Sequence, residues 1–115
     1  MYNISISNNI VTVNLYGVIM IDTIKNYYAE VYKILKERDD IKGVISSYEE
    51  AKLSVSINET LELISNFLSK VTNIKLALVL NASSVAIPMF VKEKFDLINV
   101  MFFSSYAAAL DFMNA

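Results

Sequence analysis

Along Ile10 to Tyr16 the apolar residues Val11, Val13 and Leu15 alternate with Thr12, Asn14 and Tyr16. A period of two marks a strand with one buried face. A shorter run, Tyr2 to Ser7, precedes it, and Asn8-Asn9 stands between the two. Asparagine tolerates the positive φ that a two-residue turn demands, so this opening predicts a β-hairpin. Beyond Gly17 the period changes. Ile24, Tyr27, Tyr28, Val31, Ile34 and Leu35 fall on one face at helical spacing, with Asp22 placed to cap the helix start. Arg38 suits its C-terminal end, where Asp39-Asp40 would oppose the helix dipole, so the helix is expected to stop near Arg38.

Ile41 to Ser47 reads as a third strand, and Ser46 to Ser56 is the least regular part of the chain, equally a loop or an extension of that strand. Ser56-Ile57-Asn58-Glu59 matches a capping box and predicts a second helix. Its apolar face is Ile57, Leu61, Ile64, Leu68 and Val71, flanked by Leu63 and Phe67, and it ends near Thr72-Asn73. Ile74 to Leu80 is almost continuously apolar, as a strand buried on both faces is. A turn at Asn81 to Ser84 then leads to a weaker helix over Val85 to Phe95, with Pro88 in its first turn. Leu97 to Phe103 reads as the last strand, and Ser104 or Ser105 caps a terminal helix with Tyr106, Ala109, Leu110 and Met113 on one stripe. The order β-β-α-β-α-β-α-β-α predicts an α/β fold, with a mostly parallel central sheet, an N-terminal hairpin and flanking helices, in one domain over residues 1–115.

Composition adds one consideration to this pattern. Apolar residues make up 55% of the 115, yet the longest unbroken runs, such as Leu76 to Leu80 and Val85 to Val91, fall far short of the roughly 20 residues of a membrane span. The surplus predicts exposed apolar surface, hence a protein partner of unknown identity or a homodimer. Met1 to Asn9 has neither the basic start nor the apolar core of a signal segment, and cysteine is absent, so the chain reads as cytoplasmic. Ten basic against twelve acidic residues, with Arg38 the only arginine, give no reason to expect nucleic acid as a partner.

Absent residue types remove most chemistry. Without histidine or cysteine the commonest general base, the commonest zinc ligands and thiol nucleophiles are all absent. The two glycines, Gly17 and Gly43, are too far apart for a phosphate-binding loop. Asp39-Asp40 and Glu49-Glu50 read as solvated surface rather than paired acid and base. We therefore expect a non-enzyme with no cofactor, no metal and no catalytic residue. Tyr27, Tyr28 and Tyr32 form the most unusual cluster. Their primary reading is packing on the sheet with hydroxyls at the rim, and their second is a surface for a protein partner or an apolar small-molecule ligand. Met89, Phe90 and Met101 to Phe103 are core first, and otherwise pocket or dimer face.

Three segments carry a family resemblance. They are Ile10-Val11-Thr12-Val13-Asn14-Leu15-Tyr16-Gly17-Val18-Ile19, then Ala51-Lys52-Leu53-Ser54-Val55-Ser56 through Glu59, and Val100-Met101-Phe102-Phe103-Ser104 with Ala107 to Phe112. From about Ile10 to Ala115 the chain resembles the STAS (SpoIIAA-like) family, also grouped with SEC14-like domains. The resemblance implies a regulatory or scaffolding domain acting through protein contact, with a small-molecule or lipid carrier of SEC14-like type as the alternative. In anti-sigma factor antagonists of that family, a serine in an Asp-Ser-(Ser/Thr)-Gly type motif before the second helix is phosphorylated. The nearest positions here are Ser54 and Ser56, without that aspartate or glycine. Both are candidate phosphoacceptors; Ser56 reads first as a helix cap, and a phosphate on Ser54 would be favoured near the helix N-terminus.

Overall fold

The Asn8-Asn9 turn forms as the alternation predicts. In the computed structural model, which describes residues 1–71, 74–81 and 100–115, both asparagines hold positive φ, 53° and 65°. They join β1 (Tyr2–Ser7) to β2 (Ile10–Ile19) as an antiparallel pair with Ser7 opposite Ile10. The chain continues through α1 (Ile21–Glu37), β3 (Gly43–Leu53), α2 (Ile57–Lys70), β4 (Lys75–Val79), β5 (Val100–Phe103) and α3 (Tyr106–Asn114). The strands lie in the order β1-β2-β3-β4-β5, and every pair after the hairpin is parallel. The expected helix over Val85 to Phe95, with Pro88, Met89 and Phe90, lies outside the described residues. So do Leu97 to Asn99, the helix end at Thr72-Asn73 and the side chains of Ile57 and Leu61.

Strand alternation sends residues to two cores. Val11, Val13, Leu15 and Ile19 of β2 pack with Val44 and Tyr48 of β3, Leu76 and Leu78 of β4, and the inner faces of α1 and α2. On the other face Ile10, Ile45, Ala77 and Val79 meet Ala109 and Met113 of α3. The continuous apolar run of β4 is thus explained by burial on both sides. At about 25 cal/mol per Å2 of apolar surface, each fully buried Leu, Ile or Val contributes about 1.5–3 kcal/mol, so these two layers dominate the stability.

One expectation needs correction and one open alternative is decided. Helix α1 is capped at Met20, not Asp22, and no side chain caps it. The amides of Thr23 and Ile24 already bond to the Met20 carbonyl, at 3.1 and 3.4 Å, which leaves Asp22 inside the first turn. There its carboxylate still complements the helix dipole. Of the two readings left open for Ser46 to Ser56, the strand extension holds as far as Leu53, where β3 ends. Asn14 pairs with Ser47 whereas Tyr16 pairs with Glu50, so β3 carries one residue more than β2 over this stretch. That bulge shifts the parity of the strand: Val44, Ser46 and Tyr48 face the α1 side before it, Ala51 and Leu53 after it.

The serine caps form as expected. Ser56 Oγ accepts from the Glu59 amide at 3.1 Å, and Ser105 Oγ from the Ala108 amide at 3.2 Å. Each such cap contributes typically about 1 kcal/mol. Gly17 lies inside β2 at φ +75°, a conformation that disfavours any residue with a Cβ.

Candidate functional site: the rim beyond β2 and β3

Strands β2 and β3 run side by side to the pair Ile19 and Leu53, then leave the sheet together. The carboxyl ends of parallel strands are where open α/β sheets commonly place their sites. The Ser54 amide donates to the Ile19 carbonyl at 2.9 Å, fastening the two exits to each other. Beyond this bond Met20, Ile21, Leu53, Val55 and Glu59, with Ser54 and Ser56, line an open cleft of about 530 Å3. Both serines are exposed. The Ser56 hydroxyl is engaged as the α2 cap, and its carbonyl accepts from the Thr60 amide and Thr60 Oγ1, both at 3.1 Å. Met20 in this lining is 54% exposed, and Val18, two residues earlier near the end of β2, is 56% exposed.

The tyrosine cluster belongs elsewhere. Tyr27 and Tyr28 are buried between α1 and the sheet, so they present no surface to a ligand or partner, and their hydroxyls do not reach the rim. The helix turns them inward because their positions match the stripe of Ile24 and Val31. Tyr27 and Tyr48 share a hydroxyl–hydroxyl hydrogen bond of 2.6 Å. The Tyr28 ring lies 4.4 Å from that of Tyr27 and 4.7 Å from that of Phe67, centroid to centroid. Among the described residues the buried Tyr28 hydroxyl and Ser46 Oγ have no hydrogen-bond partner. Burial pushes Tyr27, Tyr28 and Tyr48 well above the ordinary tyrosine value of 10.0, with mutual repulsion of their ionised forms adding to it. All three are therefore neutral at any physiological pH. Tyr32 alone of the predicted trio reaches the surface, half-buried, with the ammonium groups of Lys36 and Lys70 5.5 and 5.7 Å from its ring centre.

Several polar contacts escaped the sequence reading. Asn81 Nδ2 donates to the carbonyls of Tyr48, Glu49 and Ala51 at 2.7, 3.1 and 2.6 Å, clamping the end of β4 onto the β3 bulge. Glu49 is exposed as expected, yet its Oε1 accepts from the Tyr106 amide at 2.9 Å, at the start of α3. There a carboxylate both satisfies a free amide and complements the dipole. The local signal, a carboxylate doublet, says nothing of a helix 57 residues later. Arg38 pairs with Asp40 through two bonds, 3.0 and 2.6 Å, and the guanidinium holds that carboxyl below its usual range. Among the described residues no three His, Cys, Asp or Glu side chains gather to hold a metal, and no helix is long and apolar enough to cross a membrane.

No protein-family model and no curated protein matches the chain. Solved structures do match. One is the unphosphorylated form of the anti-sigma factor antagonist SpoIIAA, with TM-score 0.70 and 11% identity, covering 100% of this chain and 99% of that one. Another is the Bacillus cell fate determinant SpoIIAA in its phosphorylated form, with TM-score 0.60, 13% identity and coverage of 96% and 97%. A third is an anti-sigma factor antagonist from Mycobacterium paratuberculosis, with TM-score 0.69, 12% identity and coverage of 100% and 94%. The chain has the SpoIIAA-like (STAS) fold.

Proposed function

We propose that this is a non-catalytic regulatory or scaffolding domain that works by protein contact, with the rim where β2 passes into α1 and β3 into α2 as its contact surface. The observation that carries the reading is the exposure of Met20 in the cleft of Ser54 and Ser56, and of Val18 two residues before it near the end of β2. Exposed apolar side chains grouped at one rim are a common mark of a binding face. Structures similar in fold are anti-sigma factor antagonists, which supports a protein as partner. That one of them is a phosphorylated form supports a regulated serine, and Ser54 is the better placed candidate. Its side chain is exposed just before the α2 cap, where added negative charge is favoured by the helix dipole. Modifying Ser56 would instead break the cap its hydroxyl makes. A carrier role has less support, because Tyr27 and Tyr28 fill the space beneath α1.

A photo-crosslinking residue placed at Val18 or Met20 in cells of origin tests the proposal. It should capture one protein species that the same residue at Lys33, exposed on α1, does not. Capture equal at all three positions, or at none, contradicts the assignment.

A further inference from the structure

Among the described residues the outer strand β1 has an open edge with no device to close it. It is the first strand in the sheet order, and among the described residues nothing pairs with its outer side. Edge strands are normally protected by lysine, proline, a bulge or an inward charge, because their free N–H and C=O groups template further pairing. Tyr2-Asn3-Ile4-Ser5-Ile6-Ser7 contains none of the protective residues, and its register with β2 is unbroken.

The hairpin determines which groups are free. In an antiparallel ladder, hydrogen-bonded and non-bonded pairs alternate. The Tyr16 amide bonds to the Met1 carbonyl at 3.0 Å, and Ser7 with Ile10 flank the two-residue turn. Residues of that parity direct their backbone groups to β2. The N–H and C=O of Tyr2, Ile4 and Ile6 therefore point off the edge. Tyr2 and Ile4 already pack against the α1-side core, while Ile6 on the same face is 39% exposed.

We propose that β1 is a self-recognition edge, pairing antiparallel with β1 of a second copy about a two-fold axis at Ile4, so that two sheets become one. This rests on the self-association read from the surplus of apolar residues, and it is independent of the partner rim. The register follows from the free groups. Centring on Ile4 sets Tyr2 opposite Ile6 of the second copy and Ile4 opposite Ile4, which pairs every outward N–H and C=O of the three residues. The side chains are self-complementary in the same register. Ile6, left open in one copy, gains Tyr2 of the other as its neighbour on the apolar face. Asn3 meets Ser5 on the polar face, and the absence of charge on β1 leaves no like-charge repulsion across the axis. A second copy is the favoured occupant because the strand supplies its own complement. An unrelated strand would need to match both faces.

The native chain contains no cysteine, so a single introduced one reports the register. Ile4→Cys should form a disulfide-linked dimer under mild oxidation, since directly opposed bonded residues have Cα atoms about 5.5 Å apart. Ile6→Cys, displaced from the axis, should not. Sedimentation at millimolar concentration should find twice the chain mass for the native protein. Ile6→Pro should return it to the monomer, because that N–H points off the edge and its loss spares the hairpin. A matching unfolding midpoint shows that Ile6→Pro folds, and an Ile6→Lys variant reads out the same face if it does not. A native protein that stays monomeric, or an Ile6→Pro or Ile6→Lys variant that dimerises as the native chain does, overturns the proposal. Loss of the rim crosslinks at Val18 and Met20 would bear on the partner surface and not on this edge.

Discussion

The bulge in β3 separates two regions that invert the usual rule in opposite ways. On its N-terminal side polar atoms are buried: the hydroxyls of Tyr27, Tyr28, Ser46 and Tyr48 lie between α1 and the sheet. Past its C-terminal end apolar atoms are exposed, at Val18 and Met20 beside the exits of β2 and β3. Both departures cost free energy, since unpaired polar groups resist burial and apolar groups resist water. The tyrosine region offsets part of its cost internally, through the 2.6 Å bond between Tyr27 and Tyr48 and the tilted ring contacts around it. Among the described residues the rim has no such compensation. A fold can hold the first as architecture, whereas the second acquires a physical reason only when something covers it.

Alkali should break the buried region first. Unfolded tyrosines lose their protons near pH 10, while Tyr27, Tyr28 and Tyr48 in the folded chain resist ionisation. Above that pH the native state holds more protons than the unfolded one. Stability is then complete below about pH 10 and falls as pH rises, at about 1.4 kcal/mol per pH unit for each group. With three groups acting together the slope approaches about 4 kcal/mol per unit, read from urea midpoints between neutral and alkaline pH. A flat profile would mean that the cluster is open to solvent.

Removing one hydroxyl gives the next largest effect. Tyr48→Phe leaves the Tyr27 hydroxyl buried without its partner, and should cost about 1–3 kcal/mol in the same titration. Changing both to Phe should cost less than the sum of the single changes, because neither hydroxyl is then left alone.

At the rim the effects on stability shrink. Ser56→Ala removes the α2 cap and should cost about 1 kcal/mol. Ser54→Ala lies outside that cap and should stay within about 0.5 kcal/mol. If Ser54→Ala proves the more damaging of the two, the cap assignment is wrong.

Much of this architecture was readable from local chemistry. The Asn8-Asn9 hairpin and the caps at Ser56 and Ser105 depend on a few adjacent residues, and so are written in adjacent letters. The β3 bulge was not readable, because one inserted residue shifts the parity of everything after it. Glu49-Glu50 followed by Leu53 and Val55 then looks like a lost pattern instead of a displaced one. The Tyr27–Tyr48 bond joins a helix to a strand 21 residues later, and no local rule pairs them. The rim was hidden for the converse reason. Val18 and Met20 are apolar letters in an apolar neighbourhood, and only the end of the sheet leaves them outside it.

The central claim, that the rim serves contact and the tyrosine cluster serves stability, is tested most directly by Met20→Glu. At 54% exposure this substitution should leave the unfolding midpoint unchanged, while abolishing the species captured by a crosslinker at Val18. A complex that survives the substitution, or a domain that unfolds because of it, would contradict the account.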